Sequence, residues 1–198
     1  MSALFNTSST KPEKVDTSGK ASASFFEFVR FLVITAAVVL VIRLYVATPF
    51  IVSGASMDPT FANGEYLVVD ALSYRLRAPE RGDVIIFRFP QKRTQFFIKR
   101  IIGMPGETIE IRDGAVYVKN DAAPQGFALD EPYLASPTAG AFVATLGEGE
   151  YFVLGDNRSA SFDSRSWGTL ERKLIVGRAL LRLFPVSSLA LLPGHVEK

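Results

Sequence analysis

A mainly antiparallel β domain, carried behind one N-terminal hydrophobic helix, is the fold class this 198-residue chain predicts. Three observations point to it. One long apolar stretch lies close to the N-terminus. From residue 50 onward the apolar residues come in short runs, each closed by turn residues such as Asn63-Gly64, Gly82-Asp83 and Asp113-Gly114. Those runs show little helical periodicity, which favours a sandwich-like or barrel-like sheet structure.

Residues 1–24 are rich in Ser, Thr, Lys and Ala without an apolar period, and are expected to form a flexible cytosolic tail. Residues 25–48 are expected to be a transmembrane anchor. Phe31 to Ile42 carries no charge, and a spanning helix needs ~20 mostly apolar residues. Phe25–Ala47 meets that requirement with Arg30 and Arg43 snorkelling near the ends, and the Pro49 region stops the helix. A cleaved leader and a buried core helix are the competing readings; Tyr45-Val46-Ala47 suits a leader's cut poorly and Ser53-Gly54-Ala55 better. Lys11, Lys14 and Lys20 precede the stretch and Arg30 lies near its start, ahead of the uncharged run, so the positive-inside rule places the N-terminus in the cytosol and residues 49–198 outside.

Within 49–198, strands are expected at Tyr66–Val69, Val84–Phe89, Phe96–Ile102, Thr108–Arg112, Ala115–Val118 and Tyr151–Leu154. The Asp113-Gly114 pair between two of these is a strong hairpin signal. Residues 119–150 mix Pro, Gly and Ala without period and are expected to be an extended loop or small insertion. Arg81-Gly82-Asp83 is accounted for as a turn before a strand rather than an adhesion motif.

Composition excludes several chemistries. With 48% hydrophobic and 21% charged residues the chain is neither disordered nor polytopic. A net charge of +2, from 22 basic and 20 acidic residues, gives no argument for nucleic-acid binding. No cysteine is present, so disulfides, zinc thiolates and cysteine catalysis are excluded. The single histidine, His195, stands near the C-terminus, a poor place to hold a catalytic base.

The remaining nucleophiles are Ser, Thr and Lys. Ser56 lies in Ser53-Gly54-Ala55-Ser56-Met57-Asp58-Pro59-Thr60, where Gly54 allows a tight backbone and Pro59 stiffens the residues after Ser56. By spacing alone this is equally an ordinary turn. A serine hydroxyl needs a base, and Lys99 is the candidate, in the apolar run Phe96–Ile102. On a strand, Phe97, Lys99 and Ile101 share one face and Phe96, Ile98, Arg100 and Ile102 the other, so periodicity leaves open which cation is buried. Chemistry prefers lysine, because arginine does not give up its proton. A lysine near its ordinary pKa of 10.4 is neutral about once in 2,500 at pH 7, a handicap of roughly 4.6 kcal/mol that burial and a neighbouring cation reduce. A third cluster, Gly155 to Gly168, is dense in hydroxyls, carboxylates and guanidinium groups, and can orient a lysine or simply be a polar surface loop.

In this order the clusters resemble the bacterial type I signal peptidases, the S26 family of serine proteases. The match runs from about Pro49 to Phe184, through residues 53–60, Gly-Glu-Tyr-Leu-Val-Val-Asp (64–70), Arg-Gly-Asp-Val-Ile-Ile-Phe (81–87), 97–107, Tyr-Val-Lys-Asn (117–120), Glu-Pro-Tyr-Leu (131–134) and 155–168. The resemblance implies a signal-peptidase-type antiparallel β fold and an endopeptidase that removes signal peptides from secreted preproteins after Ala-x-Ala-like residues. It implies single-pass residence in the plasma (inner) membrane, with the lipid bilayer as a partner and the catalytic domain outside. It implies no metal or organic cofactor.

Residue by residue, Ser56 matches the nucleophile, Lys99 the general base, and Ser161 the serine whose hydroxyl orients the lysine. Asp163 and Arg165 match a supporting pair, while Met57, Phe97 and Ile98 fall at positions lining the small-residue pockets. The Ser56 N–H is expected to be one oxyanion donor. Some members supply the second from a serine hydroxyl two residues before the nucleophile. That position is Gly54 here, leaving Ser53 or a backbone N–H. A self-cleaving Ser-Lys repressor would instead carry a DNA-binding domain where this chain is hydrophobic.

Overall fold

The computed structural model describes residues 18–41 and 47–195, and the chain divides into two units, Met1–Val41 and Ile42–Lys198. In the first unit Ser18–Val41 forms one helix, α1. No proline interrupts it, and Ala, Leu and Phe tolerate the helical backbone well. It begins inside the stretch read from sequence as flexible tail. Its phenylalanines at 25, 26, 28 and 31 are 63–69% exposed, and Glu27 and Arg30 pair across one turn at 3.4 Å. Among the described residues no helix is long and apolar enough to cross a membrane. The predicted span continues through residues 42–46, which lie outside the described residues, as do residues 1–17 of the predicted tail.

The second unit contains β1 (Ala47–Ile51), β2 (Tyr66–Asp70), the short helix α2 (Ser73–Leu76), β3 (Val84–Phe89), β4 (Lys92–Gly103), β5 (Thr108–Arg112) and β6 (Ala115–Asn120). Beyond these lie β7 (Ala123–Ala128), β8 (Phe142–Thr145), β9 (Glu150–Leu154), α3 (Ser164–Trp167), β10 (Leu170–Glu171), β11 (Ile175–Phe184) and β12 (Ala190–Leu191). One sheet has the order β1-β2-β11-β3-β4-β9-β10, with β12 on β11; the other has the order β7-β6-β5-β8. Every ladder is antiparallel.

The six expected strands all form, several longer than expected. Asp113 and Gly114 both have positive φ (52° and 80°), the turn geometry whose twist matches the flanking strands. Two departures have physical reasons. Residues 119–150 are not merely a loop: they supply β7 and β8, the two edges of the second sheet. Gly126 and Pro124 in β7 and the brevity of β8 erase the alternation that would announce them. β1 runs through Pro49, where the sequence suggests only the end of a helix. A strand tolerates that proline because β1 is an edge and the missing N–H faces away from the ladder.

Three buried clusters arise from period-2 alternation. Val84 and Ile86 of β3 join Met57, Phe61, Leu67 and Val69, while Ile85 and Phe87 join Ile101, Tyr151 and Val153 on the opposite face. Ile102 enters the third cluster with Ile109, Ile111, Val116, Val118 and Phe152. β4 therefore touches all three cores, which fixes the position of the two cations in its middle.

Candidate active site

β4 pairs with β3 as far back as Lys92 but meets β9 only from Arg100 onward. On the β9 side, Phe96–Lys99 thus has an edge with no strand partner. β1 pairs only with β2 and is likewise open on its other edge. The segments 50–56 and 96–99 face one cleft of about 290 Å³. Ala160 and Phe162 add to its wall, and among the described residues Lys99 is its only charged lining residue.

The chain leaves β1 through a turn held by Gly54 N–H donating to Asn63 Oδ1 at 2.9 Å, with Gly54 at φ 93°. That places Ser56 at the cleft and sends Met57 into the core. Asn157 fastens the turn from across the site. Its N–H donates to the Ser56 carbonyl at 3.1 Å and its Nδ2 to the Ala55 carbonyl at 3.1 Å. Lys99 Nζ donates to Ser56 Oγ at 2.7 Å and to the Ile98 carbonyl at 2.8 Å, and stands 5.6 Å from the Phe97 ring centroid. Burial lowers the Lys99 pKa to about 8, opposed by the negative charges of Asp163 and Asp156. The neighbouring cation expected from sequence is not among the causes. Arg100, next along the strand, instead faces away from Ser56 and pairs with Asp156.

Arg100 has no exposed surface at all. Its Nε donates to Asp156 Oδ1 at 2.8 Å and its Nη2 to Asp156 Oδ2 at 2.6 Å. Nη1 donates to the carbonyls of Gly82 and Gly194, and the guanidinium lies 3.8 Å from the Tyr133 ring centroid. Thr60 O–H donates to the same Asp156 carboxylate at 2.6 Å. This constellation ties the segment after Ser56 to the loop carrying Asn157. Sequence reasoning weighs Arg100 only as the cation unsuited to be a base and does not single out Asp156 or Asn157; the Arg100–Asp156 contact spans 56 positions and leaves no local pattern.

Most of the expected site residues gather at the cleft. Ser56, Lys99, Phe97, Ile98 and Ser53 all line it. Met57 does not; it is buried among Phe61, Leu67 and Val69, beneath the cleft. Asp163 and Arg165 pair through Nε–Oδ1 and Nη2–Oδ2, each 2.8 Å, and Asp163 also accepts from Gly155 N–H at 3.2 Å. Ser161 departs from expectation. Among the described residues its Oγ is buried without a hydrogen-bond partner, and it makes no bond to Lys99. Lys99 is oriented by Ser56 and the Ile98 carbonyl instead. The Ser56 N–H has no acceptor among the described residues, whereas the Gly54 N–H is taken by Asn63.

Gly155 is where this packing is tightest. A Cβ there would overlap both Ser161 Oγ and the Ser56 carbonyl oxygen. Gly155→Ala is therefore expected to push the Ser56 turn out of place, lowering kcat/KM by about 10²-fold or more. It is expected to cost about 1–3 kcal/mol of stability. Steady-state kinetics and urea denaturation on the same preparation check both.

A family model described as signal peptidase, peptidase S26, matches residues 25–184. The chain is 39% identical over 163 residues to "Probable signal peptidase I-2" of Synechocystis sp., covering 79% of this chain and 72% of that relative. It is 33% identical over 178 residues to the signal peptidase I of Bacillus licheniformis, covering 84% and 92% respectively. A crystal structure of a signal peptidase I from Enterococcus faecalis has 36% identity, with a TM-score of 0.45 over 52% of this chain and 97% of that one.

Proposed function

The chain belongs to the signal peptidase family, peptidase S26, hydrolases that act on secreted preproteins carrying signal peptides, and from that premise we propose that it cuts them after small residues by a Ser56–Lys99 dyad. The observation that carries this reading is the 2.7 Å contact between Lys99 Nζ and Ser56 Oγ, made where burial brings the amine to about pKa 8.

In the proposed mechanism Lys99 is neutral and the contact reverses, the Ser56 hydroxyl donating to Nζ. Lys99 takes that proton as Oγ attacks the scissile carbonyl. The Ser56 N–H, with the Ser53 hydroxyl as the second donor, receives the developing oxyanion. As the C–N bond breaks, protonated Lys99 returns the proton to the leaving amine. The same neutral amine then activates water, which releases the acyl group from Ser56. Asp163 and Arg165 hold the loop bearing Ser161. The substrate lies as a strand between residues 52–55 and the open edge of 96–99, with Phe97 and Ile98 limiting side-chain size. Residues 25–48 anchor the enzyme in the membrane with the peptidase domain outside, raising its effective concentration near membrane-held precursors.

Cleavage of a model preprotein by the purified full chain tests this. Ser56→Ala is expected to lower kcat by about 10⁴-fold or more. With a base at about pKa 8, about one enzyme in ten is active at pH 7. The wild-type kcat/KM should therefore rise with pH and level off above roughly pH 9. Full activity in Ser56→Ala, or a rate flat between pH 6 and about 9, would overturn the assignment.

A further inference from the structure

We propose that the β3–β4 hairpin binds an anionic lipid surface and so seats the mouth of the cleft on the membrane; this rests on the proposed function, in which the domain works at a bilayer. Residues 88–95, Arg-Phe-Pro-Gln-Lys-Arg-Thr-Gln, hold three cations and no carboxylate in a chain whose net charge is only +2. Arg88, Lys92 and Arg93 are all exposed. Among the described residues none of the three pairs with an acid. By contrast Arg81, Arg100, Arg158, Arg165, Arg178 and Arg182 each meet a carboxylate.

The register sets Arg93 apart from the ladder. Arg88 faces Phe96 and Phe89 faces Lys92, so among the described residues Arg93, Thr94 and Gln95 have no ladder partner and form a bulge. Arg88 braces the bulge, its guanidinium 5.0 Å from the Phe96 ring centroid and its Nη1 donating to the Arg93 carbonyl at 3.4 Å. At the base of the hairpin Phe96 meets Phe50 edge-to-face at 5.3 Å, and both line the cleft. Phe96 and the adjacent Ile51 are 41% and 58% exposed. Exposed cations beside an apolar rim match an interface in which aromatic groups sit at headgroup depth and the charges meet phosphates. An acidic stretch of the substrate is the less suitable ligand. It would track the cleft, whose only charged lining residue among those described is the buried Lys99.

The test reconstitutes the full chain in phosphatidylcholine vesicles with or without about one third phosphatidylglycerol, and measures preprotein cleavage. The anionic vesicles should raise wild-type kcat/KM about tenfold or more, an advantage erased by about 0.5 M salt. The triple variant R88Q/K92Q/R93Q should gain nothing from the anionic lipid. It should match wild type on a short peptide in neutral detergent. The proposal is overturned if wild type shows no anionic advantage, or if the triple variant keeps it. It is also overturned if the variant is slowed equally in neutral vesicles and only for acidic precursors, which would make the substrate the ligand. Failure of the full chain to sediment with either kind of vesicle would instead remove the membrane reading on which it rests.

Discussion

Lys99→Met is expected to abolish cleavage and, in the same molecule, to make the fold more stable. The loss follows from the proposed dyad: without an amine at 2.7 Å, Ser56 would keep its proton, and kcat should fall by about 10⁴-fold or more. The gain comes from burial. Below about pH 8 the native state holds a charged ammonium that is only 4% exposed and has no carboxylate in direct contact. Because the folded pKa is depressed, the unfolded chain binds more protons between about pH 8 and the ordinary lysine value, and wild-type stability rises with pH across that window. The penalty is present in full below it and amounts to roughly 3 kcal/mol. Methionine fills similar space without it. Urea denaturation at pH 7 should find the variant more stable by on the order of 1–3 kcal/mol, the difference shrinking as pH approaches roughly 10. A variant that cuts normally, or that is less stable at pH 7, contradicts this account.

The second large effect concerns Asp156. Asp156→Ala leaves the Arg100 guanidinium fully buried with Nε and Nη2 unpaired and the Thr60 hydroxyl without its acceptor. Breaking one half of a buried pair costs about 3–5 kcal/mol. The same change loosens the loop that sends the Asn157 N–H to the Ser56 carbonyl, so cleavage should fall as well. Arg100→Met/Asp156→Ala should recover part of the stability, because it removes the stranded charge. It should not recover all of it, since the Gly82 and Gly194 carbonyls lose their donor. A coupling of at least about 1 kcal/mol in the double-mutant cycle is expected; strict additivity would mean the two side chains act independently.

The features legible in the sequence are local ones. Asp113-Gly114 announces its hairpin because both residues accept positive φ, and the Val84–Phe89 run announces a strand buried on both faces. Which of two adjacent cations is buried is not a local matter, and the structure buries both. β4 is flanked by β3 on one edge and β9 on the other, and Asp156 arrives from the far end of β9 to neutralise Arg100. Met57 falls at a pocket position in the family resemblance, but the turn that carries it packs its side chain into the core against Phe61 and Leu67. Ser161 packs against Gly155, and the direction of its hydroxyl is set by that packing, which no local pattern encodes. β11 carries no clear strand signal because Arg178 and Arg182 interrupt its apolar pattern. Both are partnered by distant acids, Asp70 and Glu65.

The two open edges flanking the cleft have a consequence for selectivity. Five neighbouring strands, β1-β2-β11-β3-β4, resemble a cask with one stave left out. In the proposed mode each precursor supplies that stave for as long as it is being cut. Amide groups are the same in every polypeptide, so this kind of recognition is indifferent to the client's spelling. Discrimination then falls to how bulky a side chain the gap admits and whether the client can unwind locally to fill it. A folded segment with the right letters would be passed over, and an extended one with unrelated letters but small side chains would be accepted.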